Sequence, residues 1–123
     1  MRRVFVIAGL LLAAISCGDD NTTEPTPNPT DATITITSAG TNPKDVTINA
    51  GGRIIWVNND SAQHQPSSDP HPVHTDCPGL NVNGPLSTGQ SATSAALTTR
   101  RTCGYHDHLN DMNANFRGTI TVQ

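Results

Sequence analysis

The sequence predicts an all-β sandwich, and three observations carry that prediction. Apolar residues alternate with Thr or Asn in short runs such as Ala32–Thr37 (ATITIT) and Asp45–Ala50 (DVTINA). Clusters of Gly, Pro and Asn separate these runs, as turns do. No segment sustains the 3.6-residue apolar period of an amphipathic helix. Short strands punctuated in this way bury their apolar faces by stacking two sheets.

The elements follow in order. Ala32–Thr37 reads as a half-buried strand, and Ser38–Pro43 as a turn-rich break. In Asp45–Ala50, Val46, Ile48 and Ala50 share one face, and Gly51-Gly52 turns the chain. Arg53–Asn58 (RIIWVN) is almost continuously apolar, which predicts a central strand. Asn59–Gly89 is long and irregular, with five prolines, and a segment of that kind is usually functional or tied down. Ser91–Thr98 reads as a weak strand, and Arg100–Tyr105 leads into the Tyr105–His108 segment (YHDH). Phe116–Val122 (FRGTITV) closes the chain as a strand with Ile120 and Val122 facing the core.

Residues 1–16 precede this domain as an expected signal. Arg2 and Arg3 stand before an apolar run from Val4 to Ile15. The run is short for a membrane span. Ala14-Ile15-Ser16-Cys17 looks like a bacterial lipobox, which implies that Cys17 becomes a lipidated N-terminus and anchors the protein to a membrane of the bacterial envelope. Residues 17–31 then form a tether. Acidic residues, Thr, Asn and alternating prolines cannot bury enough surface to fold. The domain proper is expected over 32–123, small enough to gain from a disulfide or a metal. The chain carries a net charge of −3 and no basic patch, so no nucleic-acid partner is expected.

Cys77 and Cys103 remain beside Cys17, and two cysteines in an exported chain suggest one bridge. The competing reading makes Cys103 a metal ligand. The five histidines fall in two places: His64, His71 and His74 in the long irregular segment, His106 and His108 before the last strand. Loops converge at the ends of a sandwich, so the two groups can meet there and bind copper, zinc, iron or nickel. Asp69, Asp76, Asp107 and Asp111 lie nearby, as solvated loop residues or as partners for imidazole N–H groups, not as direct ligands. There is no G-x-S-x-G turn and no glycine-rich phosphate loop, so neither a serine hydrolase nor a nucleotide site is indicated.

The stretch Asn42–His64 (NPKDVTINAGGRIIWVNNDSAQH) resembles the cupredoxin family, which includes plastocyanin and azurin. Val46, Ile48, Gly51, Trp56, Asn58, Asn59, Asp60 and His64 follow the family's order, and Gly118 in RGTITV matches its last strand. The resemblance implies a cupredoxin-like Greek-key β-sandwich of about seven or eight strands. It also implies copper, with His64 as the first ligand. For the second ligand group two readings stand. Cys103, His108 and Met112 have azurin-like spacing, and Cys103 with His106 is plastocyanin-like; either gives a blue-copper electron carrier. Placing Tyr105 at the family's aromatic position instead puts Asp107 at the ligand position. Cys103 then faces the interior, in a register that suits a bridge to Cys77.

The expected function is exported copper binding or electron transfer at a His-rich end of the sandwich, not enzymatic catalysis. His64, His106 and His108 lead the ligand candidates, followed by His71 and His74. His106 and His108 would point to opposite faces of a strand, so one ion can take both only if the backbone bends there. A redox or copper-transfer protein is the expected partner. The other classes are a metal-free interaction module and a small copper redox enzyme with an open metal position.

Overall fold

A computed structural model describes residues 30–123. The expected leader, the Cys17 anchor and nearly all of the tether lie outside the described residues. Eight strands form two four-stranded sheets. They are β1 (Ala32–Thr37), β2 (Gly40–Asn42), β3 (Asp45–Ile48), β4 (Ile54–Asn58), β5 (Pro66–Ser68), β6 (Ser91–Thr93), β7 (Arg101–Asp107) and β8 (Gly118–Val122). One sheet has the order β2-β1-β4-β6 and the other β3-β8-β7-β5. Both are mixed: β1 runs parallel to β4 and β3 parallel to β8, while the other pairings are antiparallel. Among the described residues no helix is long and apolar enough to cross a membrane.

The period-2 pattern explains which residues go inside. Ile34 and Ile36 of β1, Ile54 and Trp56 of β4, and Ile120 and Val122 of β8 are all buried, with Thr between them in β1 and β8. Trp56 packs edge-on against Tyr105 of the facing sheet, with ring centroids 5.0 Å apart. Such a pair adds about 1 kcal/mol beyond the area it buries. The Tyr105 hydroxyl donates to the Lys44 carbonyl at 2.7 Å and lies 3.0 Å from Thr41 Oγ1. Burial pushes its phenol up to about 12.

Differences from the sequence reading sit at the edges. The break expected at Ser38–Pro43 contains β2, which folds back on β1 as a short hairpin. Ala50 lies outside β3, and Phe116 precedes β8 as the last residue of a 3-10 turn, Ala114–Phe116. The long segment after β4 includes a strand, β5, which pairs with β7 at the edge of its sheet. Asp31 already belongs to the folded body, since its carboxylate accepts from the Arg53 backbone N–H at 2.8 Å.

Candidate metal centre

The site is built on β7 and on the loop that follows β5. Along β7, Cys103 and Tyr105 point into the core, so His106 takes the opposite face. The loop from Asp69 to Cys77 lies over that face. His106 is 1 % exposed in consequence. Gly104 makes the approach possible: a Cβ there would sit 2.2 Å from Asp69 Oδ2. The Asp69 backbone N–H donates to the Gly104 carbonyl at 3.0 Å. Asp76 N–H donates to the Asp69 carbonyl at 2.9 Å and closes the neck of the loop.

His71 and His74 lie within that closed loop. His74 has φ 51°, in the left-handed region that costs a side-chain-bearing residue free energy. Its backbone is held there from both sides. Its N–H donates to the Pro70 carbonyl at 2.8 Å, and its carbonyl accepts from Ser68 Oγ at 3.0 Å and Asn81 Nδ2 at 3.1 Å. Locked rotations of this kind aim a side chain instead of leaving it to sample.

His108 reaches the same place because the strand stops. The Asp107 carboxylate accepts from Leu109 N–H and caps a 3-10 turn, His108–Asn110. The bend required for His106 and His108 to share an ion is therefore present. His71, His74, His106 and His108 each offer one ring nitrogen, and these nitrogens all lie within 4.8 Å of one another. His74 Nε2 and His108 Nδ1 are 3.1 Å apart. Four nitrogens set tetrahedrally at about 2.0 Å from an ion are about 3.3 Å from each other, so this pair already has the spacing of two ligands.

The chemistry of His106 points the same way. Its Nδ1 faces Asp69 Oδ1 at 2.7 Å, while its Nε2 is buried with no hydrogen-bond partner. A proton on Nδ1 donates to the carboxylate and leaves the Nε2 lone pair free, which is the arrangement of a metal-bound imidazole oriented by an acid. His74 titrates below the ordinary histidine value of 6.5, first because burial disfavours its cation and then because His108, His106 and His71 crowd it. That keeps it in the neutral form that coordinates.

His64 stands apart from this group. Its Nδ1 lies 2.8 Å from Asp107 Oδ2 and its Nε2 lies 2.9 Å from Asp60 Oδ2, so both nitrogens face carboxylates. The hydrogen bond with His64 holds the Asp60 carboxyl below the usual range. Phe116 covers the ring, with centroids 4.7 Å apart. The first expected ligand, His64, is thus placed apart from the other four histidines, its ring a buried bridge between two acids.

The cysteines are bonded to each other. Cys77 and Cys103 form a disulfide with Cα atoms 5.9 Å apart, and Cys103 is fully buried. This corrects the thiolate alternative, because a sulfur bonded to sulfur is not a copper ligand. Met112, the axial candidate of that alternative, is 85 % exposed. Of the acids flagged in the sequence, Asp69 and Asp107 partner imidazoles, whereas Asp76 pairs with Arg101. The role of Gly104 was not foreseen. A Gly inside a strand is the cue for a close backbone approach.

Two four-stranded sheets in this order have the cupredoxin fold. Solved structures agree. The chain is similar to a purple cupredoxin from Nitrosopumilus maritimus, with 21% identity, a TM-score of 0.59, and coverage of 76% of this chain and 100% of that one. It is similar to oxidised plastocyanin from Dryopteris crassirhizoma at 19% identity and a TM-score of 0.61, covering 74% of this chain and 99% of the other. A copper-containing nitrite reductase from Thermus scotoductus also matches, at 19% identity and a TM-score of 0.58, over 81% of this chain but 23% of that enzyme. No protein-family model matches the sequence, and no curated protein matches it either.

Proposed function

We propose that this protein binds copper through His71, His74, His106 and His108, as an all-nitrogen centre on a cupredoxin scaffold. One observation carries the reading: the buried, unpartnered Nε2 of His106 lies in a group of four imidazole nitrogens within 4.8 Å of one another. Imidazole sets suit copper. The fold supports the choice, since one similar structure is of a copper(I) form of a mutant amicyanin, with 17% identity and a TM-score of 0.59, covering 76% of this chain and 83% of that chain. When bound, copper would supply one-electron redox chemistry or a transferable ion. Asp69 orients His106, the closed loop presents His71 and His74, and the Asp107 cap turns His108 inward.

The role we infer is copper handling or electron transfer, in the cell envelope. The disulfide supports an oxidising compartment. A lipid anchor at Cys17 and a redox or copper-transfer partner complete the reading. Copper(II) added to the purified protein is expected to bind one equivalent with weak visible absorption and nitrogen hyperfine structure in its electron spin resonance spectrum. His106→Ala should abolish that signal, and His64→Gln should retain it. An intense thiolate charge-transfer band, or no stoichiometric binding, overturns the proposal. A copper redox enzyme is the second reading, favoured by the exposure of His71, which leaves one side of the centre open. Catalytic turnover of dioxygen, superoxide or nitrite by the copper-loaded protein would establish it.

A further inference from the structure

A cavity of about 190 Å³ has no histidine in its lining, and both cysteines of the disulfide line it. Cys77, Cys103, Gly79, Leu97 and Thr99 line it, and the Arg101–Asp76 ion pair stands beside them. Cys77 is 6% exposed, whereas Cys103 is 0% exposed. A structural bridge in a small domain is ordinarily packed over; this one borders a hollow large enough for several atoms. We propose that the cavity is a docking site for a small zwitterionic thiol, and that the Cys77–Cys103 bond is exchanged there.

The chemistry is ordinary thiol–disulfide exchange. The incoming thiolate attacks Cys77 Sγ. A new sulfur–sulfur bond forms, the Cys77–Cys103 bond breaks, and its electron pair leaves on Cys103 Sγ. A second thiol then attacks the outer sulfur of the mixed disulfide. It releases the oxidised external disulfide and leaves Cys77 as a thiol. The protein has gained two electrons and two protons, and two external thiols have lost them. Asp76 and Arg101, paired with each other in the free protein, exchange that contact for the ammonium and carboxylate of the thiol.

The bridge joins the two halves of the candidate metal centre. Cys77 ends the loop that carries His71 and His74, and Cys103 lies on β7 three positions before His106. Opening it removes one of the ties that hold the loop over the strand, so the exchange also weakens metal binding. This second part rests on the four-histidine reading. By linkage, bound metal must make the disulfide harder to reduce by the same factor.

Native oxidised protein is incubated with glutathione, and adducts are mapped by mass spectrometry. A mixed disulfide at Cys77, formed faster than global unfolding, is expected. Ala96→Trp, which fills the cavity, should slow it about tenfold with Tm unchanged, and Arg101→Ala should slow glutathione but not the uncharged 2-mercaptoethanol. Exchange only at the rate of global unfolding, or attachment at Cys103, overturns the thiol site. For the second part, copper(II) affinity is compared between oxidised protein and the Cys77→Ser/Cys103→Ser pair. A loss of about tenfold is expected, and equal affinity overturns the coupling. If the double variant does not fold, hydrogen exchange of residues 69–77 in reduced, alkylated protein replaces it, and unchanged protection there overturns the coupling. Oxidised protein that binds no copper overturns the four-histidine centre and the coupling with it, while the glutathione result stands separately.

Discussion

At the scale of single residues, Asp69 and Gly104 do the most for the candidate centre. Asp69 holds His106 in the tautomer that frees Nε2, and Gly104 leaves the space that lets Asp69 reach it. Removing an acid that orients a metal-bound imidazole costs about 10–100-fold in affinity. Asp69→Asn should therefore weaken copper binding by about that factor with little change in the far-ultraviolet circular dichroism. Gly104→Ala should do the same for a different reason, because its methyl group displaces the Asp69 side chain; a competition titration measures both. Of these two residues only Asp69 was legible in advance. A carboxylate near histidines declares its chemistry, whereas Gly104 matters through a contact with a residue 35 positions earlier in the chain.

At the scale of elements, the end of β7 decides how the histidines are presented. Asp107 accepts from Gln65 N–H and Leu109 N–H and faces His64, all from a buried position. Asp107→Ala strips a partner from each. It should cost about 1–3 kcal/mol, the range for leaving buried donors unsatisfied, with a matching fall in the urea midpoint. It should also loosen the turn that brings His108 to the site, so the remaining folded protein should bind copper more weakly. The family resemblance, with Tyr105 at the aromatic position, put Cys103 inward as one of two readings, and the structure has both residues in the core. The sequence could not show that the strand ends at Asp107 and turns at once, since that bend depends on hydrogen bonds to residues more than 40 positions earlier, such as Gln65.

At the scale of the whole molecule, stability should fall at both ends of the pH range. Asp60 is held below its ordinary value of 3.8, so the unfolded chain takes up that proton first. Its contribution is complete above about pH 4 and is lost as pH falls through the folded value. His74 in the metal-free protein is held below 6.5, so stability also declines as pH drops beneath 6.5, where only the unfolded chain readily gains the proton. Tyr105 acts in the opposite direction. Its phenol is raised from 10 to about 12, so stability is lost as pH rises from 10 toward 12. Urea midpoints measured from pH 3 to 12 should trace this profile, Asp60→Asn should flatten its acid limb, and Tyr105→Phe its alkaline limb. Tyr105→Phe should also cost about 1–2 kcal/mol at neutral pH, since the Lys44 carbonyl loses its donor.

What the amino-acid sequence by itself determined is the sandwich. Alternating Ile and Thr in β1 and β8, and the apolar run of β4, specify strands and their inward faces through a period that is local and geometric. It also narrowed the metal chemistry to five histidines and the sulfur chemistry to two cysteines of the domain. The tertiary structure alone decided the assignments. It bonded Cys103 to Cys77, placed His64 between two acids, and gathered the other four histidines under one loop. Those outcomes depend on which segments meet across the edge of a sheet, and the residues that meet there are 26 to 43 positions apart in the chain, beyond the reach of any local pattern.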